Sequence, residues 1–261
     1  MNVVAIISTV LYGTILGFPN YSTSSKVPEN QRILGGHEVH IGDIPYQVSV
    51  QLVSVHVCGG SLISQQWVIT AGHCAATSKE PKLSVRIGST YHDRGGHVID
   101  IAASIRHPLY NESTFDYDFS LLKLVHSLKC PANVRPVQLP REDAFYQDGT
   151  VCVVSGWGDT LNPAELKDRL RATDVALVND AVCQTAYVSF GTITERMVCA
   201  AYHTGGRDAC QGDTGGPLVY ENTLIGVVSW RNKSCTTEAQ LPGVYGRVTS
   251  VRTWIEEISN V

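Results

Sequence analysis

A succession of short apolar or alternating runs, separated by turn residues, constrains the fold of this chain more than any other feature. Tyr46–Leu52 alternates apolar and polar residues with a period of two, which is the pattern of a half-buried strand. The other runs are also short and apolar: Trp67–Thr70, Val85–Ile87, Val98–Ile101, Leu121–Leu124, Cys152–Trp157, Leu170–Val178, Leu224–Trp230 and Val244–Val248. Many short strands with few helical patterns predict an all-β sandwich or barrel.

The C-terminal end is the exception to this β pattern. Val251, Trp254, Ile255 and Ile258 follow helical spacing. Thr249–Ser250 comes just before them and offers hydroxyls that can cap a helix. The sequence therefore predicts a terminal helix.

Composition bounds the class of protein. The chain has 261 residues and a formal net charge of −4, which allows one large or two small domains and gives no basic patch for nucleic acid. Val3–Leu16 is almost wholly apolar but short for a membrane span, so it predicts a secretory signal cleaved after Gly13 or Gly17. Eight cysteines in a secreted, extracellular chain predict disulfides rather than metal ligation.

Three side chains suggest nucleophilic catalysis. Glycines and an aspartate surround the hydroxyl of Thr214, and a glycine-rich loop can turn backbone N–H groups toward one point. His73 follows a strand and stands beside a cysteine that can anchor it. Asp118 opens an apolar strand, where a carboxylate is costly unless a donor such as an imidazole N–H pairs with it. Asp116, two residues earlier, is expected to be a solvated loop residue.

These segments resemble the chymotrypsin-like (trypsin) serine protease family. Gly212–Pro217 is similar to the family's Gly-Asp-Ser-Gly-Gly-Pro with threonine in place of serine, and Thr70–Cys74 to its Thr-Ala-Ala-His-Cys. Arg32–Gly36 resembles the activation junction Arg-Ile-Val-Gly-Gly. The order histidine, aspartate, nucleophile is that of the chymotrypsin group. The resemblance implies His73 as general base, Asp118 as its orienting carboxylate, Thr214 as a degenerate nucleophile position, and oxyanion donors at Gly212 and Thr214.

The resemblance also implies an architecture and an activation step. The fold would be two six-stranded antiparallel Greek-key β-barrels with a C-terminal α-helix. The domains would be a signal peptide (1–17), an activation propeptide (18–32), an N-terminal barrel (33–138) and a C-terminal barrel with the terminal helix (139–261). Cleavage after Arg32 would free the amine of Ile33 to pair with Asp213.

A trypsin-type specificity pocket is implied by five positions. Asp208 matches the carboxylate that selects Lys or Arg side chains, and Arg231 replaces a glycine of the family. Arg231 either folds back onto Asp208 or points to solvent. The implied pocket residues are Asp208, Ser229, Trp230, Arg231 and Gly243.

Further positions carry expectations about covalent modification and metals. The family alignment implies the disulfides Cys58–Cys74, Cys183–Cys199 and Cys210–Cys235. Cys130 and Cys152 form either a private pair or two free thiols, because the family partner of Cys152 falls at Tyr220; an exposed free thiol would favour dimers. Sequons predict glycosylation at Asn111 and Asn232. No cofactor or metal is expected, since the loop after Gly88 lacks the paired glutamates of the family's calcium loop.

Two functional hypotheses follow. The methyl of Thr214 crowds the nucleophilic oxygen and restricts its rotamer, which favours a catalytically inactive homologue acting by protein binding. That protein would look like the inactivated protease paralogues of the scabies mite, which are similar to mite trypsin allergens, and would interfere with a host protease cascade through a complement partner. It would bind no nucleic acid or membrane. The alternative is a weak trypsin-like serine-type endopeptidase that cleaves after Lys or Arg.

Overall fold

The computed structural model describes residues 36–75, 83–129, 132–158, 166, 168–201, 213–231 and 241–261. They belong to one compact unit that spans Gln31–Val261. The strands in these ranges are β1 (His37–Glu38), β2 (Gln47–Leu52), β3 (Val55–Leu62), β4 (Trp67–Thr70), β5 (Leu83–Ile87), β6 (His97–Arg106), β7 (Ser120–Leu124), β8 (Val151–Gly156), β9 (Arg171–Val178), β10 (Met197–Ala201), β11 (Pro217–Tyr220), β12 (Thr223–Trp230) and β13 (Gly243–Arg247). The helices are α1 (Asp180–Tyr187) and α2 (Arg252–Ser259), with short 3₁₀ turns at Gly72–Cys74 and Val248–Val251.

The strands form two closed six-stranded antiparallel barrels. The first has the order β2-β3-β4-β7-β6-β5, and the second runs β8-β9-β10-β13-β12-β11 and closes through the pairing of β8 with β9. The predicted all-β, two-barrel architecture is therefore confirmed. The predicted domain boundary between 138 and 139 falls between β7 and β8 and stays a prediction. Strand β1, which that division assigns to the first barrel, pairs with β9 of the second.

The polar side of β2 differs from the expectation of a half-buried strand. Val48 and Val50 lie in the first barrel's core, but Gln47, Ser49 and Gln51 are also at most 1% exposed. Ser155 of β8 in the second barrel donates to Gln47 Oε1 at 2.7 Å, whereas Ser49 bonds to His56 and Gln51 donates to the carbonyl of His92, both in the first barrel. The polar residues of this alternating strand therefore bond to protein groups rather than to solvent.

The terminal helix α2 is present over Arg252–Ser259. Ile255 is fully buried and packs in the large apolar cluster together with Val251. The predicted cap is wrong: the residue preceding the helix is Val251, without a side-chain cap, because Thr249 and Ser250 belong to a 3₁₀ turn. The hydroxyl of Ser250 instead donates back to the carbonyl of Arg247.

The loop after Gly88 is organised by an internal cation. Arg86 donates from Nε to the carbonyl of His92 at 3.0 Å and from its Nη atoms to the carbonyls of Gly95 and Asp93. Ser89 donates to the carbonyl of Arg94, which closes the loop from the other side. One guanidinium thus gathers three carbonyl oxygens of this loop. The expectation that the loop takes no calcium stays a prediction.

Candidate active site

His73 and Asp118 form a hydrogen-bonded pair in the cleft-facing part of the first barrel. His73 lies in the 3₁₀ turn after β4, and its Nδ1 is 2.8 Å from Asp118 Oδ2 and 3.0 Å from Oδ1. The His73 backbone N–H also donates to Oδ1 at 2.9 Å, so both the ring and the backbone are fixed by one carboxylate. The side chain of His73 is 30% exposed, whereas that of Asp118 is 1% exposed.

Asp118 is a buried carboxylate with several donors. Besides the two His73 groups, Ser229 of β12 donates its hydroxyl to Oδ2 at 2.5 Å. Burial of an ionised carboxylate is tolerated when such donors compensate for lost water. Because Asp118 accepts only, the shared proton resides on Nδ1, and Nε2 of a neutral His73 is left able to accept a proton.

Thr214 lies in a tight turn between β10 and β11 that both barrels hold. The N–H of Gly216 donates to the carbonyl of Asp213 at 2.8 Å, and Gly215 has φ of +83°, a conformation that favours glycine. From the first barrel, Gly59 of β3 donates to the carbonyl of Thr214 at 2.7 Å. A Cβ on Gly59 would come within 2.8 Å of Gly216 Cα, so this approach requires glycine.

The disulfide Cys58–Cys74 joins β3 to the turn that carries His73. Its Cα atoms are 6.2 Å apart, and Cys74 Sγ lies 3.8 Å from the carbonyl oxygen of Thr214. The anchoring cysteine predicted beside His73 is confirmed. The bridge therefore brings the turn that carries His73 next to the backbone of the turn that carries Thr214.

Aromatic side chains line the cleft next to His73. The ring of Phe115 meets the His73 ring edge-on at 5.4 Å and stacks at 6.4 Å on Trp230. Tyr187 of α1 packs edge-on against the other end of Trp230 at 5.1 Å. A Cβ on Gly191 would come within 3.0 Å of the Trp230 ring, so this residue also leaves space for the indole. The row gives the cleft an apolar wall.

Of the residues predicted for the specificity pocket, three are in β12 and β13 and one follows β12 directly. Ser229 contacts the catalytic carboxylate rather than serving only as a pocket wall. Gly243 is buried and pairs with Ala200 of β10. Arg231 is partly buried. Asp208 lies outside the described residues, so its predicted contact with Arg231 stays a prediction.

The predicted activation carboxylate Asp213 is 3% exposed. Its Oδ1 accepts the N–H of Gly158 at 2.8 Å, and a Cβ on Gly156 would come within 2.1 Å of the same oxygen. Gly156, the last residue of β8, and Gly158, two residues later, therefore make room for this carboxylate. Arg32, Ile33 and the oxyanion position Gly212 lie outside the described residues, and their roles stay predictions.

Some of the predicted disulfide and glycosylation positions lie among the described residues, and others lie outside them. Cys183–Cys199 is a disulfide with Cα atoms 6.3 Å apart, as predicted, whereas Cys210, Cys235 and Cys130 lie outside the described residues. Cys152 is a free thiol, which agrees with the free-thiol alternative, and it is buried, so it lacks the exposure that would favour dimers. Burial raises the pKa of this thiol to about 12. Asn111 is exposed and stays a predicted glycosylation site, and Asn232 lies outside the described residues.

The expectation for Asp116 is wrong. Its side chain is only 18% exposed and forms an ion pair with Arg196 of the second barrel, at 2.8 Å from Oδ2 to Nη2. Eighty residues separate the two, so no local sequence signal could reveal the pair. Sequence reasoning also missed Phe115, which would have needed a prediction of the loop's backbone.

The described residues contain neither a candidate metal centre nor a helix that could span a membrane. Within the parts of the chain that the structure describes, no three His, Cys, Asp or Glu side chains form a group suited to a metal ion. The described helices include none that is long and apolar enough to cross a membrane.

Comparison with known proteins identifies the family of this arrangement. The family model described as Trypsin matches residues 33–255. Trypsin 5G1 of Aedes aegypti is 52% identical over 231 residues, which cover 88% of this chain and 86% of that protein. Trypsin of Simulium vittatum is 38% identical over 247 residues, 92% of this chain and 99% of that protein. Cationic trypsin-3 of Rattus norvegicus is 40% identical over 233 residues, 88% and 90% of the two chains.

These relatives contradict the expectation of a catalytically inactive homologue. That expectation rested on the methyl of Thr214 and on Arg231, yet the relatives are named trypsins and point to an active serine protease. Threonine retains a hydroxyl at the family's nucleophile position, and the hydrogen-bonded pair of His73 and Asp118 is present. No relative named above supports a link to the inactivated paralogues of the scabies mite. The matched length and these side chains show that the chain belongs to the trypsin family of chymotrypsin-like serine proteases.

Proposed function

We propose that the protein is a trypsin-like endopeptidase in which Thr214 supplies the nucleophile. The observation that carries this proposal is the bidentate approach of Asp118 to His73, at 2.8 and 3.0 Å, with the backbone N–H of His73 on the same carboxylate. Such a pair costs free energy to bury and orients the imidazole for proton transfer. The imidazole of His73 can act as a general base in catalysis only if a nucleophile lies at its other ring nitrogen, Nε2.

The reaction proceeds by acyl transfer. His73 Nε2 takes the proton of the Thr214 hydroxyl while Oγ1 attacks the carbonyl carbon of the scissile peptide bond. The carbonyl oxygen becomes an oxyanion, for which the family pattern supplies the N–H groups of Gly212 and Thr214. His73 then gives its proton to the leaving amine. A water molecule, deprotonated by His73 in turn, hydrolyses the acyl ester and restores Thr214.

The threonine methyl sets the rate rather than the type of reaction. It occupies one of the three positions around Cβ and thereby restricts χ1 of Thr214. Attack requires the hydroxyl oxygen of Thr214 and the carbonyl carbon of the substrate to be near van der Waals contact and aligned. Population of a χ1 rotamer that does not allow this geometry therefore lowers kcat. Most threonine nucleophiles use their own terminal amine as base, whereas here His73 serves.

The substrate is a polypeptide cut after Lys or Arg, a preference that rests on the match of Asp208 to the family's pocket carboxylate. The trypsin names of the relatives support the same preference. We propose further that the protein is secreted, is activated by cleavage after Arg32, and carries glycans at Asn111 and Asn232. A host complement component as partner stays an untested hypothesis.

The test is peptidase activity of the cut form with a matched set of variants. The segment before Ile33 is replaced by an enteropeptidase recognition sequence, so that no trypsin is needed for activation. A fluorogenic peptide ending in Arg is the substrate. We expect turnover by the wild-type chain, background rates for Thr214→Ala and His73→Ala, and a higher kcat for Thr214→Ser.

The control variants separate the roles of the groups. Thr214→Val keeps the branched shape but lacks the hydroxyl, so its activity should equal that of Thr214→Ala. Turnover by the wild-type chain no greater than that of His73→Ala would refute the proposed function. Equal turnover by the wild type and Thr214→Val would refute the role of the threonine hydroxyl.

A further inference from the structure

We propose that Asp116 and Arg196 are a positioning pair, which joins the two barrels across the cleft and holds Phe115 against the ring of His73. This inference rests on the proposed peptidase function, because its kinetic consequence is a change in how His73 is presented. Neither residue touches the reacting atoms.

The contact between the two side chains is bidentate and shielded. Arg196 donates from Nε to Asp116 Oδ1 at 3.2 Å and from Nη2 to Oδ2 at 2.8 Å. Thr194 adds its hydroxyl to Oδ1 at 2.7 Å. Burial alone would raise the pKa of the Asp116 carboxyl, but the donors Arg196 and Thr194 outweigh it and hold the pKa below its ordinary value. The carboxylate is therefore charged throughout the pH range in which a peptidase of this kind works.

The two partners belong to different barrels. Asp116 lies in the loop between β6 and β7 of the first barrel, two residues before Asp118 in the same loop. Arg196 and Thr194 lie in the segment between α1 and β10 of the second barrel. The ion pair consequently joins the two barrels close to His73, whose ring contacts Phe115, the neighbour of Asp116. Planar guanidinium and carboxylate groups in two-point contact fix direction as well as distance.

The loop that carries Asp116 is strained at the residue that faces His73. Phe115 and Tyr117 flank Asp116 and have φ of +56° and +52°, a region that bulky residues rarely adopt. Asn111 holds the loop's start, since its carbonyl accepts the N–H of Phe115 at 2.8 Å and its N–H donates to the carbonyl of Asp116 at 3.0 Å. Strained backbone persists only where its surroundings determine it. Among the contacts that join this segment to the second barrel, Asp116 binds Arg196 and Thr194, and Phe115 stacks on Trp230 of β12.

The far side of the pair is equally packed. The guanidinium of Arg196 lies 5.2 Å from the ring centre of Tyr117, and Tyr117 stacks on His107 at 4.5 Å. His107 in turn meets Trp254 of α2 edge-on at 4.8 Å. Residues on both sides of Asp116 thus make aromatic contacts: Tyr117 with His107 and the guanidinium of Arg196, and Phe115 with His73 and Trp230.

The consequence for catalysis concerns the imidazole. Phe115 meets the His73 ring edge-on at 5.4 Å, so a loop that moves outward removes one of the neighbours that limit rotation of that ring. The bond to Asp118 remains, but the ring samples more orientations toward Thr214. This wider range of ring orientations reduces the fraction of bound substrate that lies in attacking geometry. It therefore lowers kcat more than it raises KM for a short peptide.

The experiment combines kinetics with a readout that does not need turnover. Arg196→Gln removes the cation, Arg196→Lys keeps a cation without the planar fork, and Asp116→Asn removes the charge of its partner. Arg141→Gln is the matched control, because it breaks the exposed Arg141–Asp143 pair, whose side chains are 85% and 72% exposed, away from the cleft. The proton NMR resonance of the His73 Nδ1–H is recorded for each full-length activated chain.

We expect Arg196→Gln and Asp116→Asn each to lower kcat about ten-fold with a smaller change in KM, a loss within the range that positioning errors produce. The double variant should lose no more than either single variant, since both remove one shared contact. Arg196→Lys should recover part of kcat. The His73 resonance should broaden or shift in Arg196→Gln and stay unchanged in Arg141→Gln.

The outcomes distinguish this proposal from the proposed function. If the wild-type chain has no peptidase activity, the proposed function fails, but the His73 resonance still decides the positioning role. An unchanged resonance in both Arg196→Gln and Asp116→Asn overturns the positioning pair whatever the activity. Additive losses in the double variant also overturn it. If Arg196→Gln does not fold, Arg196→Lys and Asp116→Asn, compared with Arg141→Gln, decide the outcome.

Discussion

Tyr220→Cys is expected to form a disulfide with Cys152 and to stabilise the second barrel. The registers Leu218↔Val154 and Val219↔Val153 between β11 and β8 continue to place residue 220 opposite residue 152. Directly opposed residues of antiparallel strands have Cα atoms about 4.5 to 5.5 Å apart, which is within the range that a disulfide spans. Cys152 is free and buried, and it packs in the same apolar cluster as Tyr220.

The expected gain is the difference between two opposing effects. Cys152 and Tyr220 are 68 residues apart, and Cys183–Cys199 shortens the path between them by most of its 16-residue separation. Closing a loop of that size restricts the conformations of the unfolded chain and raises its free energy by about 4 kcal/mol. Loss of the partly buried Tyr220 ring, which meets Tyr146 edge-on at 6.0 Å, costs about 1 to 2 kcal/mol. The oxidised variant should therefore be more stable than the wild type by about 2 to 3 kcal/mol.

Urea unfolding of the variant with and without reductant measures this difference. Tyr220→Ser is the matched control, because it removes the same ring and cannot form a bridge. Reduced Tyr220→Cys should match Tyr220→Ser, and both should lie below the wild type. Peptide mapping without reductant should recover a peptide that joins residues 152 and 220. A variant that stays unbridged under oxidation, or a bridged variant no more stable than Tyr220→Ser, would refute the inferred register and the free state of Cys152.

Three further predictions concern other parts of the chain. Ser229→Ala should lower kcat/KM for an Arg peptide about ten-fold, since it removes a hydrogen bond of roughly 1 to 3 kcal/mol to the buried Asp118; an unchanged kcat/KM would contradict that role. Gly156→Ala should prevent activity after cleavage without unfolding the chain, because its Cβ would come within 2.1 Å of Asp213 Oδ1; full activity with a normal circular dichroism spectrum would disprove it. Burial lowers the pKa of His107, and the charge of Asp116 partly offsets this effect. As the pH falls below about 6.5, His107 therefore binds a proton in the unfolded chain while it is still neutral in the folded chain. Wild-type stability should therefore fall with pH in that window by up to about 1.4 kcal/mol per pH unit for this group, and urea midpoints of His107→Gln should show a smaller fall than the wild type.

Local pattern was enough to predict much of the fold. Strands β2, β4, β7 and β9 have uninterrupted β-branched or alternating sequences, and each was predicted close to its observed bounds. No run was predicted over strand β3, in which Gly59 and Gly60 carry no side chains and so break the apolar pattern. In the structure these glycines continue the strand, and Gly59 leaves room for the backbone of the nucleophile turn. The need for glycine at position 59 comes from Gly216, which is 157 residues away, so the sequence around Gly59 does not reveal it.

The site was predictable where a motif carries it and not where tertiary contacts do. His73 and Asp118 stand in recognisable segments, and the structure pairs them. Arg196 stands in an ordinary polar loop, and only the approach of the two barrels gives it a role. The methyl of Thr214 suggested an inactive homologue because sequence alone gives the cost of a substituent, whereas the relatives named trypsins point to an active protease.

The hydrogen bond from Gly59 to Thr214 has a consequence for biosynthesis. It joins residues that emerge from the ribosome far apart, and the pair of Asp116 and Arg196 does the same. Contacts between distant segments form late, after each barrel has begun to collapse. A nascent or half-folded chain thus has the His73–Asp118 pair and the Thr214 turn in separate, unassembled pieces. The candidate site is therefore complete only once both barrels have folded and docked, so it cannot form on either half of the chain alone.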